Sequence, residues 1–337
     1  MRVVSVWVRL RPLAVVVLAL VLLAGRGGAG AAGAPGQLKM ALLLYTTRTT
    51  PDWDASAYDA AKKMVDSIGA TLSVAENTTF DQAAQVLSQY ASSGYDVVIS
   101  NGSGYEPGVL KVAPQFPKTW FLLFSDISTT KGLKNVAGWK VGWAEMGYLQ
   151  AMVACLASKG GKIGMVESSP IPAFAKMGGG ATLGAEKYCG SKDKLLMSWT
   201  GDFTDPSKAK NAALALYAQG ATVQFDAADV AGRGMFEASK EKGFLTIGKY
   251  LDESNLAPGV ITSVMIDFTA AFAQMGELTK TKKLQPKFYY ANVQTGKVTL
   301  AKPFRNVPSD VQSRAEAVYK QIQDGTVKVP PDVEVKP

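Results

Sequence analysis

Short, unbroken apolar runs alternate along this chain with longer stretches in which apolar residues recur every three or four positions. The run "KMALLLY" (39–45) has the continuous hydrophobicity of a strand buried on both faces of a parallel sheet. From Ala55 to Ile68, the residues Tyr58, Ala61, Val65 and Ile68 fall on one helical face. Strand Thr71–Glu76, a helix over Phe80–Ser93 stopped by Gly94, and strands "DVVIS" (96–100) and "WFLLFSD" (120–126) complete a first set. The stretch 140–161, "KVGWAEMGYLQAMVACLASKGG", predicts a helix ending in Gly-Gly. A second set follows: strand 162–168, helix Ala173–Tyr188, strand 194–200, a helix within 202–220, strand 222–228, helix Gly232–Lys242 and strand 244–250. Asp205 is a good N-cap for the third of these helices counted from 140, and Pro206 suits its first turn.

One β-α-β-α pattern thus runs twice. It predicts two lobes, each a doubly wound parallel sheet with helices on both faces. The remainder breaks the rhythm: strand 260–266, helix Asp267–Thr279, a hairpin-like pair "KFYYANV" (287–293) and "KVTLAK" (297–302), and a last helix over Pro308–Gly325. A tail after both sets predicts that the chain crosses back between the lobes, which is the plan of hinged solute receptors. The expected division is 38–127 with 259–285 for the first lobe and 128–258 with 286–330 for the second.

The beginning differs in character. Arg2, Arg9 and Arg11 precede the apolar run Leu13–Ala24, and small residues follow from Gly27 to Ala34. This is the order of an export signal, expected over residues 1–34 with cleavage after Ala32 or Ala34. The apolar run is about half of what a membrane-crossing helix needs. Arg26 stands where exported lipoproteins carry the Cys that is lipidated. The expectation is therefore an exported protein of the periplasm or cell envelope, either free or held by an uncleaved signal.

Residues 1–36 hold four Arg and no acid, so the formal charge of +8 falls to 32 basic against 28 acidic residues, +4, for the rest. Those charges are scattered, which speaks for solvated faces and against a nucleic-acid partner. The chain contains no His, which removes His-based acid–base catalysis, Ser-His triads and the common zinc sites together. Cys155 and Cys189 are either a disulfide of an oxidising compartment or two buried thiols. No metal or cofactor is expected, and neither is an enzyme.

Ligands of open parallel sheets bind beyond the carboxyl ends of the strands. The loops there offer Trp53, Asp54, Tyr105, Asp126, Met177, Asp229 and Tyr250: aromatic faces and carboxylates without a nucleophile–base pair. Each has a plainer reading. Trp53 could cap the core beneath the first helix, Asp126 could hold a loop amide, and Met177 could be core. Asp52 reads as the helix cap and Asp54 as a ligand contact. Asp229 follows a buried apolar strand, where a carboxylate needs partners. The Gly-rich pieces "GWAEMG", "GGGATLG" and "GRG" lack phosphate-binding spacing.

Taken together, these loops resemble the basic membrane protein (BMP) family of ABC-transporter substrate-binding proteins, which includes purine nucleoside receptors. The likeness covers nearly all of 38–325 and rests on "DWDASAYDAAKK", "SGYEPGVLKVAPQFPKTWFLLFSD", "GWAEMGYLQAMVA", "PIPAFAKMGGGATLGA" and "FTDPSKAKNAALALYAQGA". It implies a type I periplasmic-binding-protein fold, joined by a multi-strand hinge, with a purine clamped in the cleft and an ABC permease as partner of a monomeric receptor. By position, Trp53 replaces a stacking Phe, Asp54 an Asn that reads the base, and Asp126 matches the family's Asp. Met177 falls where a second stacking Phe is usual. Tyr250 stands in place of a ribose-binding Asp, Ile266 in place of a sugar-binding Lys, and Asp229 in place of a Gly. Two ribose contacts are missing and a carboxylate is added, so the resemblance implies a bare base, adenine, over a nucleoside. A receptor for another polar or cationic solute, or a sensory protein, is the alternative.

Overall fold

The continuous apolar runs form strands packed on both faces, and the periodic stretches form the helices that cover them. The computed structural model describes residues 36–50, 52–124 and 130–336, all within one compact unit, Ala32–Pro337. The expected signal segment 1–34 and Asp126 lie outside the described residues.

The first lobe is built from β1 (Lys39–Leu43), α1 (Trp53–Ile68), β2 (Thr71–Ala75), α2 (Ala83–Ser92), β3 (Val97–Ser100), α3 (Glu106–Val112), β4 (Trp120–Phe124) and β5 (Val136–Val141). The second contains α4 (Trp143–Ala157), β6 (Ile163–Glu167), α5 (Pro172–Tyr188), β7 (Leu195–Trp199), α6 (Pro206–Ala218), β8 (Val223–Ala227), α7 (Arg233–Lys242), β9 (Leu245–Tyr250) and β10 (Val260–Ile266). The chain returns through α8 (Phe268–Lys280) and β11 (Phe288–Ala291), then finishes with β12 (Val298–Leu300) and α9 (Ser309–Gln323). The first sheet has the order β2-β1-β3-β4-β5-β11 and the second β7-β6-β8-β9-β10-β12. The first is parallel throughout, whereas β12 runs antiparallel to β10 at the edge of the second.

Three details differ from expectation. Val136–Val141 is a strand of the first sheet, although its last two residues read as the start of a helix. Val260–Ile266, expected in the first lobe, belongs to the second sheet. The supposed hairpin 287–302 is no hairpin: β11 pairs with β5 and β12 with β10, so the Asn292–Lys297 turn passes from one sheet to the other. The chain therefore crosses between the lobes three times, at Gly142 after β5, at Asp267 after β10 and at this turn after β11. Three such segments make a hinge.

Helix α4 is buried nearly all round, from Trp143 to Leu156, as its predominantly apolar sequence demands, and it carries Glu145 and Gln150 inward with it. It meets α5 at very short range. A Cβ added at Gly147 would lie 1.9 Å from the carbonyl of Met177, and one at Gly180 would lie 1.8 Å from that of Ala144. The Gly-rich stretch of α5 is thus a helix-packing surface. The Cys155–Cys189 disulfide ties the end of α4 to the residue after α5. Asp205 caps α6 by accepting a hydrogen bond from the Ser207 amide at 2.9 Å.

Candidate functional site

A cavity opens between the carboxyl ends of the two sheets. Residues following β1 and β3, with the start of α1, line one side. Residues following β6, β7 and β8, with the end of β9, line the other. Trp143, the first residue past the Gly142 crossing, completes the wall.

On the first-lobe side, Trp53 opens α1. Its indole nitrogen donates to the Asn101 carbonyl at 2.9 Å, and its ring lies 5.6 Å from Phe124, 5.0 Å from Phe268 and 5.2 Å from Tyr250. Asp54 is buried and accepts from the Thr46 amide at 2.6 Å, the Thr46 hydroxyl at 2.9 Å and the Asn101 side-chain amide at 2.8 Å. Burial raises its pKa, and the Thr46 and Asn101 bonds oppose that rise. Asp52 occupies the N-cap position of α1, yet its side chain makes no capping bond. It lies instead 3.6 Å from the Lys249 ammonium of the second lobe. The expected cap is thus an inter-lobe ion pair, because a buried ammonium offers a carboxylate more than a helix amide does.

On the second-lobe side, Lys249 is enclosed, with its side chain 1% exposed. Its ammonium sits 2.9 Å from Asp226 and donates to the Asp229 carbonyl at 3.3 Å, while Glu253 accepts its backbone N–H at 2.8 Å. Burial by itself would lower the Lys249 pKa, but Asp226, Asp52, Glu253 and Asp229 together raise it, and the ammonium stays charged. Glu253 is pushed up to about 8, first by burial. Glu167, at the end of β6, is fully buried with no hydrogen-bond partner for either oxygen. Burial, then the neighbouring Asp226, raises its pKa well above the usual carboxylate range. Gly232 leaves room for this arrangement, since a Cβ there would lie 2.0 Å from an Asp226 oxygen.

Asp229 and Tyr250 face the cavity from left-handed backbone positions, φ 46° and 64°. The Tyr250 hydroxyl donates to Asp229 Oδ1 at 3.0 Å. Burial, then the charge of Asp52, pushes the Asp229 carboxyl up to about 7 against the opposing pull of Lys249.

The cavity thus gathers Trp53, Asp54, Asp229 and Tyr250. Two expected residues do not line it. Tyr105 is fully buried, donates to the Thr78 carbonyl at 2.6 Å and supports the ring of Phe80 from 5.0 Å. Met177 lies in the α4–α5 packing, and Phe174, one helical turn earlier, lines the cavity in its stead. The sequence reading also missed Tyr45, Phe80 and Phe203. Tyr45 lies 4.8 Å from Phe80 and 5.9 Å from Phe203, and Phe203 lies 6.1 Å from Phe174, so these rings span both lobes. Every one of them ends or follows a strand, a signal that was available. Among the described residues, no cluster of His, Cys, Asp and Glu is arranged to hold a metal ion, and no helix is long and apolar enough to cross a membrane.

Comparison with known proteins agrees with this geometry. The chain is 24% identical over 306 residues to a purine-binding protein of Brucella abortus, covering 89% of this chain and 84% of that one. It is 24% identical over 256 residues to an ABC transporter nucleoside-binding protein of Lactococcus lactis, covering 70% and 72%. Its fold is similar to an ABC transporter solute-binding protein of Aeropyrum pernix, with a TM-score of 0.78, 19% identity and coverage of 87% and 94%. The Bmp family model, ABC transporter substrate-binding protein PnrA-like, matches residues 38–332. Two hinged parallel-sheet lobes around a cavity of rings and carboxylates are therefore those of a substrate-binding transport receptor, and the chain belongs to the PnrA-like family of ABC transporter substrate-binding proteins.

Proposed function

We propose that this protein is an exported receptor that closes on a purine-like base, adenine in preference to a nucleoside, and delivers it to an ABC permease without transforming it. The observation that carries the reading is Asp229, which lines the cavity with its carboxylate oxygen Oδ1 accepting from the Tyr250 hydroxyl. A carboxylate oxygen can accept a hydrogen bond from the 6-amino group of adenine or from its imidazole N–H. The surrounding rings offer flat apolar faces, each base–ring stack contributing about 1–3 kcal/mol. Tyr250 occupies the place where the family's nucleoside receptors have a ribose-binding Asp, and its hydroxyl is engaged with Asp229. The names of the Brucella and Lactococcus relatives support the purine class. The Cys155–Cys189 disulfide supports an oxidising compartment outside the cytoplasm. The receptor acts as a monomer, and closure follows the three-segment hinge.

Calorimetry with adenine, guanine, adenosine and a panel of small amines tests the proposal. Adenine is expected to bind at least about tenfold more tightly than adenosine, a difference of about 1.4 kcal/mol. Binding of amines without binding of adenine would establish the alternative, a receptor for a cationic solute held by the carboxylates. Chemical change of any ligand on incubation would overturn the non-enzymatic role.

A further inference from the structure

Three polar atoms on cavity-lining residues are buried without a hydrogen-bond partner: Asn101 Oδ1, Ser103 Oγ and Trp143 Nε1. Their residues are 2%, 8% and 2% exposed. A buried polar group left unpaired is costly, so three around one cavity mark groups that a ligand completes. Their chemistry is unequal. The hydroxyl of Ser103 can give or take a proton. The amide of Asn101 is oriented by Asp54, whose carboxylate accepts the Nδ2–H, which leaves Oδ1 as an acceptor. The indole of Trp143 can only donate. It therefore demands a lone pair on the ligand, whereas Asn101 Oδ1 and the Asp229 carboxylate accept.

We propose that Trp143 is a specificity-determining residue whose indole N–H reads a ring nitrogen of the bound base. The assignment rests on the purine reading and sharpens it: the ligand must combine N–H donors for Asp229 and Asn101 with an unprotonated aza nitrogen for Trp143. The place of Trp143 adds a consequence. It is the first residue of α4, directly after the Gly142 crossing, and its ring touches Trp53 at 5.5 Å and Tyr250 at 6.1 Å. One hydrogen bond from this position ties the ligand to the hinge segment and to rings of both lobes.

The test measures binding of adenine and of its 1-deaza, 3-deaza and 7-deaza analogues, in which one ring nitrogen is replaced by C–H, to the wild-type protein and to Trp143→Phe. One analogue is expected to bind the wild type at least about tenfold more weakly than adenine. In Trp143→Phe that gap closes, while the ratios for the other two analogues are unchanged. If Trp143→Phe weakens adenine and all three analogues by one common factor, or if the wild type does not distinguish them, Trp143 is only a packing residue. If the wild type does not bind adenine at all, the purine reading falls and this assignment with it. Should Trp143→Phe fail to fold, the ¹⁵N-indole resonance of Trp143 in the wild type decides: it moves downfield with adenine but not with the discriminated analogue. An unmoved resonance overturns the proposal.

Discussion

The two walls of the cleft are built on opposite principles. In the first lobe, Asp54 is met by three donors from its own lobe, and Trp53 is anchored by the Asn101 carbonyl. The carboxylate of Asp54 and the indole of Trp53 are thus held in place before anything binds. In the second lobe, one ammonium serves Asp226 and Asp52, with Glu253 and Asp229 close by, and burial raises the pKa of Glu167 well above the carboxylate range. There Asp229 and Tyr250 hold left-handed backbone conformations that a carboxylate and a bulky ring rarely adopt, at about 1–3 kcal/mol each. The difference teaches which wall positions and which one responds. A saturated carboxylate gives fixed geometry. A crowded, strained set of carboxyls around one cation changes its charge and its partners when the cleft closes or fills.

The sharpest way to break this contrast is to remove the central cation. Lys249→Met keeps most of the side-chain volume but leaves Asp226 buried without its counter-charge, and breaking such a pair costs about 3–5 kcal/mol. Chemical denaturation is expected to show a loss of that size. In the first lobe, Asp54→Asn replaces one acceptor by a donor among three neutral donors and is expected to cost about 1–3 kcal/mol. Equal losses in the two variants would erase the distinction between a wall held by charge and a wall held by dipoles.

The next effect concerns the ligand. Asp229→Asn removes the responsive carboxylate, and affinity for adenine is expected to fall by about 1–3 kcal/mol, roughly five- to 150-fold. Acidity sharpens the same point. The Asp229 carboxyl is raised to about 7 in the folded protein, whereas in the unfolded chain it has the ordinary carboxylate value near 3.9. The native state holds a proton there that the unfolded state releases. Its contribution to stability is therefore fully present below the unfolded value and is lost as pH rises through about 7. Glu253, raised to about 8, adds a slope of the same sign. Ligand N–H groups need the ionised Asp229, so adenine affinity runs the other way and falls as the pH drops below about 7. Opposed slopes of stability and affinity in the wild type, with the affinity slope gone in Asp229→Asn, are the expected pattern. Parallel slopes would place the ligand away from Asp229.

How much of this was readable in advance follows from how local each cue is. The strands "KMALLLY" and "DVVIS" are buried on both faces, and an unbroken apolar run states that directly. Val136–Val141 escaped because Gly138, Trp139 and Lys140 interrupt the run and the strongly helical stretch beginning at Trp143 adjoins it. The false hairpin arose because Gln294–Gly296 makes a turn, whereas the sheet each flanking strand joins depends on the distant pairs Phe288–Gly138 and Val264–Leu300. Of the residues the strand-end rule named, Trp53, Asp54, Asp229 and Tyr250 line the cavity. Choosing Met177 over Phe174 required knowing how α5 is rotated against α4, which Gly147 and Gly180 set by close contact. Lys249 sits within "LTIGKY", where nothing nearby in sequence announces the carboxylates of Asp52 and Asp226.

Asp52 is where the two walls meet, and it offers the finest test. As a helix cap, its replacement by Asn would change little in closure, since Asn caps as well as Asp, and any cost would appear as unfolding of α1. As an inter-lobe partner of Lys249, it acts only when the cleft is shut. The pair is then out of water, so desolvation offsets most of its attraction and leaves a net effect on the order of 1 kcal/mol, about a fivefold shift between closed and open forms. Lys249 keeps Asp226 at 2.9 Å in the variant, so the second lobe is expected to remain intact. Small-angle scattering of ligand-free Asp52→Asn should thus show a larger mean radius of gyration, adenine should restore compactness at higher concentration than in the wild type, and the unfolding midpoint should scarcely move. An unchanged radius with a lowered midpoint would return Asp52 to the role of a cap and leave the closed cleft held by its rings alone.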